Sequence, residues 1–271
     1  MVRSRTVRGV LGSAAVAIAM TIGTLHSAAA DPATDRTREI HGLALAGGGV
    51  VYLGVELGLK HHLVADACRI CEPPAFDEAA SRALRWDDTK LADHVSTAIG
   101  YAGAPLYAIG LVAASSSGSW RRRTDDAIPV LEAGVAIGLL HHAVKFTLGR
   151  QRPFVHHAAP GRPADDDDNA SLFSGHTGLA FAVATAGGVV AHERGYRVEP
   201  FVWGGGFAIA AATGYLRIAA DKHWTTDVLI GAVVGVGVGL AVPLLLHRDT
   251  LTSPTRVDAA TPRIVSFGFA I

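Results

Sequence analysis

Apolar residues dominate six stretches of the chain, 42–59, 94–114, 127–148, 178–191, 202–220 and 228–246, with polar connectors between them. None shows the alternation of a half-buried strand, and most are too long to be strands. The pattern predicts six helices and an all-α fold. Several are long enough to span a bilayer, and 228–246, with almost no polar atoms, is the strongest candidate. Glu56 interrupts the first segment, and His141 and His142 interrupt the third. Ionisable groups in a span face the bundle interior, so these three are expected inside, structural unless a partner gives them a role.

The N-terminus reads differently. Arg3, Arg5 and Arg8 precede an apolar run over 10–25, and Ala28, Ala29 and Ala30 then meet Asp31. Basic region, short apolar region and small-residue cleavage site make a secretory signal peptide over 1–30, with an uncleaved anchor as the alternative. The helical domain is expected over 31–247, followed by an irregular tail, 248–271, broken by Pro254 and Pro262. Asp165 to Asp168 form an acidic connector without metal-ligand spacing, read as a solvated loop. Cys68 and Cys71 follow His61 and His62, but adjacent histidines are poor partners for one tetrahedral ion. In an exported chain a local disulfide is the better reading.

Composition sharpens this picture. Of 271 residues 49% are hydrophobic, which excludes disorder. The 31 glycines and only 7% aromatics suit membrane helices, whose interfaces favour small residues. The 24 basic residues balance 24 acidic ones, so no basic footprint points to nucleic acid.

The candidate chemistry gathers at three junctions. The third segment ends with Lys145 and, seven positions on, Arg152-Pro153; Gly149 allows the chain to turn between them. Ser174-Gly175-His176 opens the fourth segment, where free backbone N–H groups and the helix dipole attract an anion. Arg217, His223 and Asp227 precede the sixth, and the spacing of four puts His223 and Asp227 on one helical face. A carboxylate on one imidazole nitrogen would leave the other free to attack or to move a proton. Three cations around one tetrahedral oxyanion are what phosphoryl transfer needs, and the arrangement requires no metal or other cofactor.

In order and spacing these residues resemble the type 2 phosphatidic acid phosphatases, which share a core with class A acid phosphatases and vanadium haloperoxidases. The family pattern is K-x6-R-P, P-S-G-H and S-R-x5-H-x3-D. Here Phe173 replaces the proline and Leu216 the serine, while every charged position is kept. The resemblance covers about 131–246 and implies a helical bundle of the acid phosphatase/haloperoxidase type, membrane-embedded, with the site at one end. By it, His223 is the nucleophile that forms a phosphohistidine, Asp227 orients it and His176 is the general acid and base. Lys145, Arg152, Ser174, Gly175 and Arg217 bind phosphate. The implied substrate is a lipid phosphate or diphosphate at the cell envelope. A soluble secreted acid phosphatase, a vanadate-dependent haloperoxidase and a non-catalytic phospholipid-binding bundle are the alternatives. Six spans after a cleaved signal would put the motifs on the cytoplasmic side, whereas Arg121, Arg122 and Arg123 favour an outward-facing site.

Overall fold

The structure, a computed structural model, describes residues 32–252 except 117 and 119. The expected signal peptide, and the tail beyond 252, lie outside the described residues. Each apolar segment is helical, and six long runs form an up-and-down bundle. The first comprises α1 (Pro32–Gly54), a π-helical turn (Val55–Leu59) and α2 (Lys60–Leu63). After a strap and α3 (Ala75–Leu84), the second comprises α4 (Thr89–Ala98), another π-helical turn (Ile99–Gly103) and α5 (Ala104–Ser115). Next come α6 (Trp120–Leu148), the short α7 (Pro153–His156), α8 (Gly175–Glu193), α9 (Glu199–Ala219) and α10 (Thr225–Leu246). The tail departs from expectation, because Arg248–Thr252 forms a further helix, α11. Leu251 is buried there, and the Arg194 guanidinium donates to the carbonyls of Thr250 and Leu251.

Helix α8 is the hub, packed against α5, α6, α9 and α10. Its buried face is Ala, Gly, Val and Thr, so its neighbours approach closely. Gly231, Gly235 and Gly239 of α10 form a close backbone crossing: a Cβ at Gly235 would lie 2.4 Å from the Gly178 carbonyl oxygen, and one at Gly239 2.5 Å from that of Ala182. Backbone faces backbone, so no side chain can yield. Gly235→Ala is expected to cost about 1–3 kcal/mol by forcing the helices apart, read as a lower melting temperature in detergent. Gly237→Ala meets open space and serves as the control; equal melting temperatures would refute this account of the crossing.

The first run is attached differently. No residue of Arg36–Leu63 is buried, and its main helix packing is against α6, with single side-chain contacts such as His41 to His247 and Lys60 to Asp167 elsewhere. The polar residues before position 42 are helical because their charges find partners on α6: Arg38 makes two 2.8 Å hydrogen bonds to Asp125. Among the described residues four runs are long and apolar enough to cross a membrane, Arg36–Leu63, Thr89–Ser115, Trp120–Leu148 and Thr225–Leu246.

Candidate active site

Antiparallel packing brings the C-terminal ends of α6 and α9 and the N-terminal ends of α8 and α10 to one end of the bundle. Lys145 lies in the last turn of α6, and Gly149, with φ 58°, turns the chain out of the helix. A strap before α3 holds that exit. The Arg69 backbone N–H donates to Gly149 O at 2.9 Å, Gln151 N–H to Ile70 O at 3.0 Å, and the Asn169 amide to Ala65 O at 2.8 Å. Cys68 and Cys71 close the strap in a local disulfide, the pairing expected for them.

Arg152 follows and is buried. Its N–H donates to Asp168 O and its guanidinium to Lys222 O at 3.2 Å. Ser174 is fully buried and caps α8, its Oγ accepting from Thr177 N–H and pairing with Thr177 Oγ1 at 2.8 Å. Its hydroxyl is therefore engaged in the cap, and the anion-binding capacity of this junction rests on backbone N–H groups. Gly175 presses against the His141 ring, which a Cβ would approach to 2.9 Å. His176 is half-buried, with Nε2 3.2 Å from Thr97 Oγ1 and its ring 4.3 Å from that of Tyr101. Arg217, in the last turn of α9, donates to Asp93 at 2.5 Å and to Ser96 Oγ at 3.2 Å.

His223 occupies the tight link between α9 and α10 and is only 2% exposed. Its Nδ1 lies 2.8 Å from the Ser171 carbonyl oxygen. A carbonyl only accepts, so Nδ1 carries the proton and the lone pair sits on Nε2. Burial, with Arg152 and Arg217 alongside, holds the imidazole pKa well below its ordinary value and keeps the ring neutral, against the opposing Ser171 hydrogen bond.

Here the geometry corrects the reading of Asp227. Its nearer oxygen is 3.9 Å from His223 Nδ1, beyond hydrogen-bond distance. The carboxylate is committed elsewhere: Oδ2 accepts from Ser171 Oγ at 2.6 Å and from Trp224 N–H at 3.0 Å, and Oδ1 accepts from Arg150. Asp227 caps α10 and fixes Ser171, and Ser171 holds the imidazole. Its effect on His223 is indirect.

Each motif cation also has an acidic partner that the motifs did not reveal. Lys145 donates to Glu56 at 2.8 Å, Arg152 lies 3.6 Å from Asp167, and Arg217 pairs with Asp93. Lys60 bridges Glu56 and Asp167, which joins the Lys145 and Arg152 pairs, and Lys222 reaches Asp93 beside Arg217. The acidic connector is therefore not simply solvated. Burial pushes the Asp167 carboxyl up, but Arg152, Lys60 and Lys145 outweigh it and hold the pKa well below the usual carboxylate range. Glu56 faces inward as expected, accepting also from His142 Nε2 at 2.9 Å. An acid in an apolar helix was its only sequence signal. Glu56→Gln keeps the shape but removes the charge that steadies Lys145. A fall of about 10-fold in kcat/KM is expected on a phosphomonoester, the order of one charged hydrogen bond. Unchanged kinetics would show that Lys145 is held without it.

The profile of the PAP2 superfamily matches residues 127–251, which hold all three junctions. This part of the chain is similar to the PAP2 superfamily. A lipid A 1-phosphatase of Porphyromonas gingivalis is 38% identical over 107 residues, 39% of this chain and 21% of that protein. The chain thus spans about a fifth of that relative's length. A transmembrane PAP2-type phosphatidylglycerolphosphate phosphatase from Bacillus subtilis superposes with a TM-score of 0.46 at 21% identity, covering 74% of this chain and 94% of that one. Glu56 and Asp93 lie outside the matched PAP2 region, so the flanking helices supply two of the three acids that hold its cations.

Proposed function

We propose that this chain is a membrane lipid phosphatase that cleaves a phosphate or diphosphate monoester through a phosphohistidine at His223, without a metal. The observation that carries the reading is the neutral His223, its Nδ1 held by Ser171 and its Nε2 free, beside Arg152 and Arg217. In the first step Nε2 attacks phosphorus, the ester P–O bond breaks and His176, whose pKa burial and Arg217 hold low and the negative charge of the bound phosphate raises, gives the proton it has taken up to the leaving oxygen. In the second, water attacks phosphorus, His176 takes its proton and the P–N bond breaks. Lys145, Arg152, Arg217 and the backbone N–H groups that open α8 stabilise the charge on the equatorial oxygens. The alignment with a lipid A 1-phosphatase supports a phosphorylated lipid as substrate, and the four membrane-length helices support its delivery from a bilayer.

The test is a phosphate-release screen of the purified chain with lipid monophosphates, lipid diphosphates and soluble phosphomonoesters. Turnover is expected on the lipids. Release from soluble esters alone would favour a broad-range acid phosphatase, and no release from any would overturn the reading.

The site faces outward in this proposal. The Cys68–Cys71 disulfide lies at the catalytic end, and disulfides persist in oxidising compartments. Arg121, Arg122 and Arg123 in the first turn of α6 and Arg194 and Arg197 in the α8–α9 connector lie at the other end, as a cytoplasmic face requires. A cysteine placed at the exposed Arg82 beside the catalytic end should react with a membrane-impermeant maleimide in intact cells. Labelling only after lysis would put the site inside.

A further inference from the structure

A second cluster of ionisable side chains lies at the opposite end of the bundle, and the chemistry at His223 makes no use of it. Glu132 points inward from α6, about 20 Å along that helix from Lys145 at 1.5 Å per residue. His41 of α1 and His247, just after α10, take one carboxylate oxygen each: His41 Nδ1 is 2.9 Å from Oε1, and His247 Nε2 is 2.6 Å from Oε2. The two imidazole rings stand 4.2 Å apart, and one donor atom from each of the three residues lies within 4.8 Å of the others. Glu132 and His247 are buried, and the His41 side chain is 17% exposed. A cavity of about 20 Å³ adjoins them, lined by His41, Asp125, Ile128 and His247 among others. That is room for one water.

We propose that His41, Glu132 and His247 form a binding site for one divalent transition-metal ion, with Zn²⁺ the best fit. Two imidazoles and one carboxylate are a borderline-soft donor set of the kind zinc takes, and the adjoining cavity provides for a water as fourth ligand. The donor atoms need to move only slightly, because bonds of 2.0–2.1 Å to a tetrahedral ion place ligand atoms about 3.3 Å apart. On binding, each imidazole presents the lone pair of the nitrogen now facing Glu132, and its proton passes through solvent to the other ring nitrogen. The ion would tie together α1, α6 and the end of α10, segments more than 200 residues apart in sequence at their extremes. That matters for α1, which has no buried residue from Arg36 on and packs mainly on α6. A buried acid with two histidines inside a membrane-length bundle calls for a specific partner, and metal binding would add directly to the stability of the fold.

The experiment uses the full chain in detergent, stripped with a chelator, desalted and titrated with Zn²⁺. Wild type is expected to retain one equivalent through gel filtration, measured by elemental analysis, and to gain about 5 °C or more in melting temperature. His41→Ala and His247→Ala should lose both the equivalent and the shift. His41→Asn keeps a side-chain N–H for Glu132 and controls for folding; it should melt near the metal-free wild type and still lose the equivalent. The double variant His61→Ala/His62→Ala, altered at an exposed pair at the other end, should keep it. The proposal is overturned if stripped wild type retains no Zn²⁺, in which case the cluster is a hydrogen-bonded clamp. It is equally overturned if the equivalent survives in His247→Ala or disappears in the His61/His62 variant. Because the readouts are metal content and melting temperature, a failure here is distinct from any failure of the phosphatase reading.

Discussion

His223→Ala is expected to reduce phosphate release by a factor on the order of 10⁴ or more, the scale seen when one member of a catalytic unit is removed. The ring is held by one hydrogen bond, from Nδ1 to the Ser171 carbonyl, and its Nε2 has no substitute nearby on the same link. The alanine leaves a void where the imidazole stood, but no buried charge without a partner, so the protein should fold with a melting temperature within a few degrees of wild type. His176→Ala separates the two roles. It should slow both steps by about 10²–10⁴-fold, the usual worth of a positioned acid and base, while leaving His223 able to be phosphorylated. With a substrate whose leaving group needs no proton, rapid quenching should then trap phosphate on the protein, labile to acid and stable to base. Such trapping in His176→Ala and its absence in His223→Ala would establish the intermediate. Undiminished turnover by His223→Ala would end the mechanism.

The largest structural effect is expected at Arg150, a residue that no motif singles out. Its guanidinium donates to Asp77 at 2.7 Å, to Thr226 Oγ1 at 2.8 Å and to Asp227, and both carboxylates are fully buried. Thr226 completes the knot, its N–H and hydroxyl donating to Asp77 at 2.8 and 2.6 Å. Removing one partner from a buried ion pair costs about 3–5 kcal/mol, because the remaining charge is left without compensation. Arg150→Ala strands two carboxylates, so a large drop in melting temperature or failure to accumulate is expected. Arg150→Lys should recover little, since one flexible ammonium cannot serve both carboxylates with the geometry of a planar fork. Arg150→Met with Asp77→Asn, which removes one stranded charge, should recover more than Arg150→Met alone. A melting temperature unchanged in Arg150→Ala would show that these carboxylates are neutral or hydrated and that the knot contributes little.

These two residues mark how far the sequence could be read. Lys145, Arg152, Arg217, His176 and His223 stand out as candidates because phosphate chemistry restricts residue type and spacing within short segments. The partner of His223 was not: a spacing of four made Asp227 the candidate, yet the cap of α10 claims that carboxylate and Ser171, more than fifty positions upstream, takes its place. Glu56, Asp77 and Asp93 were invisible as site residues because each pairs with a cation far along the chain. The helical tail at Arg248–Thr252 was missed for a similar reason, as Arg194 supplies the hydrogen bonds that anchor it.

By itself the sequence determined the all-α class, the long helices and the candidate residues proposed to bind a phosphate, since periodicity, caps and motif spacing are local properties. Tertiary structure alone decided which carboxylate balances which cation, which oxygen holds His223, and that His41, Glu132 and His247 converge at the far end. Those pairings join positions tens to hundreds of residues apart. They are chosen by helix packing, where small residues set how closely backbones approach and the burial of each charge obliges it to find a partner.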